Sequence, residues 1–388
     1  MQTEHRISLS LEELMVQART MTGIDHLDAD VIEPLGVILQ SLNEDSRLHA
    51  QGAAAMQHKL LRLLANRLRM QRDIAANPAI LEERIEAPLV VCGMARTGST
   101  KLQRLLAASG DFNWLPFWQG HNPSLLSGRR DESPDARVAE AEDYCRWFDA
   151  ASPENKYGHA LEAHEPDEES YMLEQCFRTP CFLGWSELPG YICWLGTQDM
   201  RAQFCYLRDL LKYLQWQGLH EPGRRWVLKC PLYFGMEPLL LEVFPDAALL
   251  MTHRHPKETI PSSCRLLETF HQPFSDAPID YAGFLQGMAA QIGQHLGVRA
   301  TGTDIPFLDI DFRDIVGNVE QVAERVYSHC GLELGNEARC RMLDWARRNP
   351  KDSRGVHRYA LQDFGFNEAM IEDRFAGYLR LLDGLFGR

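Results

Sequence analysis

The stretch PLVVCGMARTGSTKLQRLL, residues 88–106, constrains this chain more than any other. Leu89 to Cys92 form an apolar, β-branched run bounded by Pro88 and Gly93, which reads as a buried strand. A helix is expected from about Ser99 to Ala108. Between them, Gly93 and Gly98 bound a tight turn. Such a strand–turn–helix unit aims backbone N–H groups and the positive end of a helix at one point, which suits an anion. The glycines have the spacing of G-x-x-x-x-G-K-[ST], and Thr100 takes its last position. Ser99 stands where that pattern has lysine, the residue that reaches the β/γ-phosphates in nucleotide hydrolases. Arg96 instead places a permanent, forked cation inside the turn. Lys101 comes one position late and is expected to point elsewhere around the helix. A tight turn with no ligand is the other reading. Two glycines, one arginine and three hydroxyls within eight residues favour the anion, with Arg96, Thr97, Gly98, Ser99 and Thr100 as contacts.

Three further strands are expected in RWVLKCP (225–231), ALLMTHRHP (248–256) and IPFLDID (305–311), the last followed by an amphipathic helix that stops at Gly331. Strands alternating with helices imply an α/β fold, a P-loop-like parallel sheet flanked by helices. Residues 1–86 read as a helical N-terminal extension and residues 87–388 as the α/β domain, with a helical insertion at about 120–220. In the extension, Ser10-Leu11-Glu12-Glu13 is a capping box. Leu60, Leu61, Leu64 and Leu68 recur at helical spacing, and the arginines among them read as a solvated face. This segment is expected to be a helical prelude or an interaction surface. It could pair two chains into a homo-oligomer or cap a pocket.

A net charge of −14 argues against nucleic-acid binding, so an anionic ligand must be caught by a local positive pocket. The ten cysteines have no zinc spacing, and those inside apolar runs, such as Cys92 and Cys193, are expected to behave as small hydrophobes. The N-terminus lacks the apolar core of a signal peptide, and no run approaches 18 apolar residues. The expectation is a cytoplasmic, reduced protein without a membrane span.

A second anion site is suggested by HRHPKETIPSS, 253–263. Arg254 stands at a strand end, Pro256 opens a helix, and Ser262 follows in its second turn. Arginine and serine can converge there on one phosphate. Two such sites suit a nucleotide phosphorylated at two separate places. On these residues the chain resembles the sulfotransferases that use 3′-phosphoadenosine-5′-phosphosulfate (PAPS), in the bacterial branch with a P-R-T-G-[ST]-T loop. The resemblance runs from about residue 88 to 382, with Ala95 where the branch usually has proline. It implies that Gly93 to Thr100 cradle the 5′-phosphosulfate and that Arg254 and Ser262 bind the 3′-phosphate. KCPLYF and FPDAALLMTHRHP match as well. So does GVHRYALQDFGF, which adds Arg354, Gly355 and Arg358 as cofactor contacts, unless it is simply a basic surface loop. The implied product is 3′,5′-ADP, and no metal is expected.

Sulfuryl transfer, like phosphoryl transfer, relies on positioning and on stabilising charge spread over the moving group. Arg96 and Lys229 are the candidate cations, because a lysine after WVL at a strand end either snorkels or meets an anion. The family often has a lysine there. A general base is harder to find. Animal relatives have a histidine two residues after that lysine, where this chain has Pro231. Other branches have glutamate in a W-E dipeptide, where this chain has Trp118-Gln119. Glu169, then His164, then His121 are the remaining candidates, in AHEPDEESYML and WQGHNP. The acidic run also fits a helix start enriched in acids. The aromatics of WLPFW (114–118) and FLGWSELPGYICWL (182–195) are either core or the wall of a pocket. As a wall they imply an apolar acceptor with one hydroxyl: a phenol, a sterol-like alcohol or a lipid. Two other readings share these residues, a P-loop kinase or NTPase with an atypical loop and a catalytically silent nucleotide-binding protein.

Overall fold

The computed structural model describes residues 9–301, 305–350 and 359–387. Its five strands are β1 (Leu89–Cys92), β2 (Asn113–Trp114), β3 (Trp226–Lys229), β4 (Ala248–His253) and β5 (Phe307–Asp311). They form one sheet in the order β2-β3-β1-β4-β5, and all pairings are parallel. Every residue of β1 and β3 is buried, as expected of parallel strands covered on both faces. Alternation sorts β1 between two cores. Leu89 and Val91 pack with Leu102, Leu105 and Leu106 of the helix Ser99–Ser109. Val90 and Cys92 face the opposite layer, with Leu210, Leu240, Ile260 and Tyr378. The edge strand β2 has only two residues, too few to show a period in the sequence.

β1 is central, with β3 and β4 on either side. Val91 is in register with both Lys229 and Leu250, so the carboxyl ends of all three strands lie side by side. The turn after β1 therefore emerges between Lys229 and Arg254. Ligand crevices open at this kind of edge in doubly wound sheets.

Three helices precede the sheet, Leu11–Thr22, Ala29–Glu44 and Ala50–Ala76. Ser10 caps the first, its Oγ accepting from Glu13 N at 3.3 Å. Their leucines join Phe117, Phe148, Phe182 and Tyr191 in one core, so the extension packs against the helices that lie between β2 and β3. This overturns the reading of the arginines as a solvated face. Arg62 is buried and donates to the His121 carbonyl. Arg67 is buried on the Tyr206 ring and bonds Asp30 at 3.0 Å. A helix hemmed in on two sides must bury such residues, and each finds an acceptor. Cys92 is buried, but Cys193 is exposed despite its apolar neighbours, and all ten thiols are free. The helix expected after β5 is broken into Phe312–Gly317 and Val319–His329 at Asn318, whose backbone leaves the helical region.

Gly93 adopts φ +145°, and a Cβ there would lie 2.5 Å from both the carbonyl and the hydroxyl of Thr252. Gly93→Ala should cost about 2–4 kcal/mol by chemical denaturation, from backbone strain plus overlap. A loss within about 0.5 kcal/mol, typical of an unconstrained surface site, would contradict this turn geometry.

Candidate functional site

A cavity of about 1450 Å³ opens at the carboxyl edge of the sheet. Arg96, Gly98, Ser99 and Thr100 line it, together with Arg254, Ser262 and Tyr359. The two stretches singled out as anion sites thus share one chamber. Arg96 links them. Among the described residues it is one of three non-glycine residues at positive φ, at +70°. Its Nε donates to Ser262 Oγ at 2.9 Å and its Nη1 to the Gly158 carbonyl at 2.6 Å, while its own carbonyl accepts from Arg254 Nη1 at 3.2 Å. Burial lowers its pKa, yet a guanidinium stays charged. Arg254 also pairs with Glu258 at 2.7 Å and lies over the Phe312 ring at 4.1 Å. Tyr359 donates to Ser262 Oγ at 2.7 Å. Gly98 sits at φ +89°, where a Cβ would come within 2.9 Å of the Phe312 ring.

Two loop residues depart from expectation. Thr97 is fully buried and does not line the cavity. Its hydroxyl donates to the Met94 carbonyl at 2.7 Å and lies 2.7 Å from that of Thr252, so its side chain braces the turn. Lys101 does line the cavity, with its ammonium on the Asn349 carbonyl at 3.3 Å. Arg354, Gly355 and Arg358 lie outside the described residues.

Lys229 lies at the end of β3 with its ammonium paired to Glu168, and both residues line the cavity. Glu169 does not. It is fully buried behind β3, its Oε2 accepting from Lys229 N at 2.7 Å and from Tyr233 OH at 3.1 Å. Burial holds its carboxyl well above the usual range, so it serves as a backbone brace away from solvent. Consecutive side chains at a helix start point in different directions, and the residue that faces the cavity is the other member of the pair. His164 is on the surface, 3.0 Å from Glu142. His121 is buried, stacked on Phe117. Burial, then the nearby Arg62 and Lys59, push its pKa well below the usual value. Neither histidine lines the cavity. Nor does Gln119, whose Oε1 lies 2.8 Å from His220 Nε2. Pro231 does line it, opening a short 3₁₀ turn.

His159, which the sequence did not suggest, lines the cavity at the end of the helix Asn155–His159. Its Nε2 is 2.8 Å from Asp167 Oδ1, and its Nδ1 is 3.8 Å from Glu168 Oε1. Burial works to raise the Asp167 carboxyl, but its contact with His159, then Lys229 and Arg104, holds it below its ordinary value.

The cavity also has apolar lining, Leu183, Trp185, Leu188 and Ile192 from one stretch and Phe284 and Met288 from the helix Tyr281–Ala300, interspersed with Glu187, Asp280, Gln291 and Gln294. The aromatic-rich stretch is therefore divided. Trp185 reaches the cavity, while Phe182 and Tyr191 are core, as are Phe117 and Trp118. Trp185 is fixed from behind. Its Nε1 donates to Glu174, which also pairs with Lys59 at 2.6 Å, and the Lys59 ammonium sits 3.9 Å from the Trp185 ring centroid. Burial lowers the Lys59 pKa to about 8. Among the described residues, no group of three or more His, Cys, Asp or Glu could hold a metal, and no helix is long and apolar enough to cross a membrane.

Residues 88–336 match the family model described as "Sulfotransferase family". No curated protein matches the chain significantly. Among solved structures, sulfotransferase STF1 from Mycobacterium tuberculosis H37Rv is 26% identical with a TM-score of 0.79, covering 96% of this chain and 100% of its own. Sulfotransferase STF9 from Mycobacterium avium is 24% identical with a TM-score of 0.84, covering 98% of each chain, and shares the fold.

The Gln119–His220 pair makes a stability prediction. Burial lowers the His220 pKa to about 4. Between its unfolded value near 6.5 and that value, the unfolded chain holds a proton that the folded chain lacks. The residue's contribution is therefore full above pH 6.5 and is lost as pH falls toward 4, by on the order of 3 kcal/mol. Denaturation curves of His220→Gln should show a shallower loss between pH 7 and 4. An unchanged slope would refute the assignment.

Proposed function

This chain belongs to the sulfotransferase family, and we propose that it moves a sulfuryl group from PAPS to a hydroxyl of an apolar small-molecule or lipid acceptor, releasing 3′,5′-ADP. One observation carries this reading. A single cavity is lined both by the cations Arg96, Arg254 and Lys229 and by an apolar wall that includes Leu183, Trp185 and Met288. In this reading the turn Arg96–Thr100 holds the 5′-phosphosulfate against the helix N-terminus, where backbone N–H groups and the helix dipole favour negative charge. Arg254 and Ser262 hold the 3′-phosphate, and Arg354, Gly355 and Arg358 are further candidates for it. Arg96 and Lys229 meet the charge that spreads over the transferring group. Removing one such preorganised donor costs on the order of 10²–10³ in rate. Ser99 leaves the turn without the lysine that a triphosphate hydrolase uses. Ten free thiols fit a reduced, cytoplasmic setting.

The acceptor end has room for a ring or chain. Gly283, Gly287 and Ala290 of the helix Tyr281–Ala300 recur at helical spacing along the cavity wall. A Cβ built on Gly287 meets nothing within 4 Å.

Melting curves with 3′,5′-ADP, 5′-AMP and ATP–Mg²⁺ test the donor assignment. The expected outcome is a shift with 3′,5′-ADP that EDTA does not alter. A shift only with ATP–Mg²⁺ would discard the reading. Arg254→Ala should weaken 3′,5′-ADP by roughly 10- to 100-fold, the loss of a charge-assisted bond, and leave 5′-AMP nearly unchanged. Equal losses would mean that Arg254 does not hold the 3′-phosphate. Gly287→Phe should abolish turnover of 2-naphthol while 3′,5′-ADP still binds. Unchanged turnover would place the acceptor elsewhere.

A further inference from the structure

We propose that His159 is the general base that takes the proton from the acceptor hydroxyl, with Asp167 as its positioning residue and Glu168 as the counter-ion of Lys229. This rests on the reading of the cavity as a sulfuryl-transfer site, and it fills the role for which the sequence offered only Glu169, His164 and His121.

The geometry fixes the protonation pattern. An ionised carboxylate only accepts, so Asp167 Oδ1, at 2.8 Å, requires the proton of the neutral ring on Nε2. The Nδ1 lone pair is then left on the side of Glu168 and Lys229. Its 3.8 Å distance from Glu168 Oε1 is too long for a hydrogen bond. An acceptor oxygen arriving next to Lys229 comes within reach of Nδ1. Asp167 is itself held, accepting from Glu168 N at 2.7 Å, and is 2% exposed. Carboxylate and imidazole therefore keep one orientation, the logic by which a buried acid orients a histidine base. Glu168 is the weaker candidate, because its carboxylate is already ion-paired with Lys229.

The step balances without a further reactant. The acceptor O–H proton passes to Nδ1 as its oxygen bonds to sulfur. The bond from sulfur to the bridging oxygen of the 5′-phosphate breaks, and 3′,5′-ADP leaves with that electron pair. The imidazolium returns its proton to water.

The groups facing the ring come from every neighbouring element. They are Asp167 and Glu168 from the following segment, with Lys229 of β3 behind Glu168 as its ion-pair partner, Arg96 beside the ring through the Gly158 carbonyl, and Phe270 from the helix Pro256–His271. Arg104 lies behind Asp167, with its Nε on the Pro166 carbonyl.

The test is the pH profile of PAPS consumption with 2-naphthol, alongside calorimetric binding of 3′,5′-ADP. In the wild type, kcat/KM should rise with pH through a single limb. His159→Gln should lose on the order of 10²–10³-fold and the limb itself, keep its melting temperature, and bind 3′,5′-ADP within about twofold. The loss should be smaller with p-nitrophenol, whose proton leaves readily, and added imidazole should partly rescue His159→Ala. Asp167→Asn should move the limb to lower pH, because the charge that favours the imidazolium is gone. Activity of His159→Gln within about threefold of wild type, with the limb intact, overturns the proposal. So does a Glu168→Gln variant that alone abolishes the limb, or a wild type that binds 3′,5′-ADP but consumes no PAPS across the range. A wild type that does not bind 3′,5′-ADP overturns the functional reading instead.

Discussion

The site depends on Arg96 holding a backbone conformation that side chains rarely adopt. At φ +70° the residue carries strain that at functional positions costs on the order of 1–3 kcal/mol. Its hydrogen bonds to Ser262 and to the Gly158 carbonyl offset that strain. They also bring the turn after β1, the helix after β4 and the segment ending at His159 into one chamber. Without this residue the turn would still present N–H groups, but its side-chain ties to Ser262 and to the Gly158 carbonyl would be gone. The glycines on either side serve the same end. Gly93 lets the chain pass against Thr252, and Gly98 lets the helix start against Phe312.

Charge is organised around the same chamber. The chain is acidic overall, yet Arg96, Lys101, Arg254 and Lys229 all line one cavity. Cations in a low-dielectric cleft focus their field on what enters, so an acidic protein can still collect a polyanion. Two buried lysines are paired, Lys229 with Glu168 and Lys59 with Glu174, and Asp167 is hydrogen-bonded to His159. A lone buried charge would cost several kcal/mol, whereas a pair with good geometry roughly breaks even and fixes orientation. The pairs here hold a lysine, a tryptophan wall and an imidazole in place.

What was legible in the sequence follows from the range of the signal. The four longer strands, the turn after β1 and the Arg254–Ser262 stretch all rest on local pattern, because strand burial and helix capping are decided within a few residues. The acidic run in AHEPDEESYML was also legible, but not which carboxylate faces the cavity. Glu168 and Glu169 are neighbours of identical chemistry. Only the position of β3, which buries Glu169 against Lys229 N and Tyr233, separates them. His159 left no signal, since nothing periodic surrounds it and its partner Asp167 lies beyond an irregular segment. The arginines at 62 and 67 misled for a related reason. Opposite a leucine stripe they look solvated, until a second layer of helices covers them.

That second layer separates the two ends of the cavity physically. The anion end is built on strand termini and a turn, fixed by a sheet whose register leaves little freedom. The apolar end is built by helices that meet only through tertiary packing, and its Trp185 wall is held by Lys59 from the N-terminal extension. Changes in the extension can therefore reshape the Trp185 wall without touching the turn, Lys229 or Arg254 directly. The extension thus supplies the backing of the Trp185 side of the cavity.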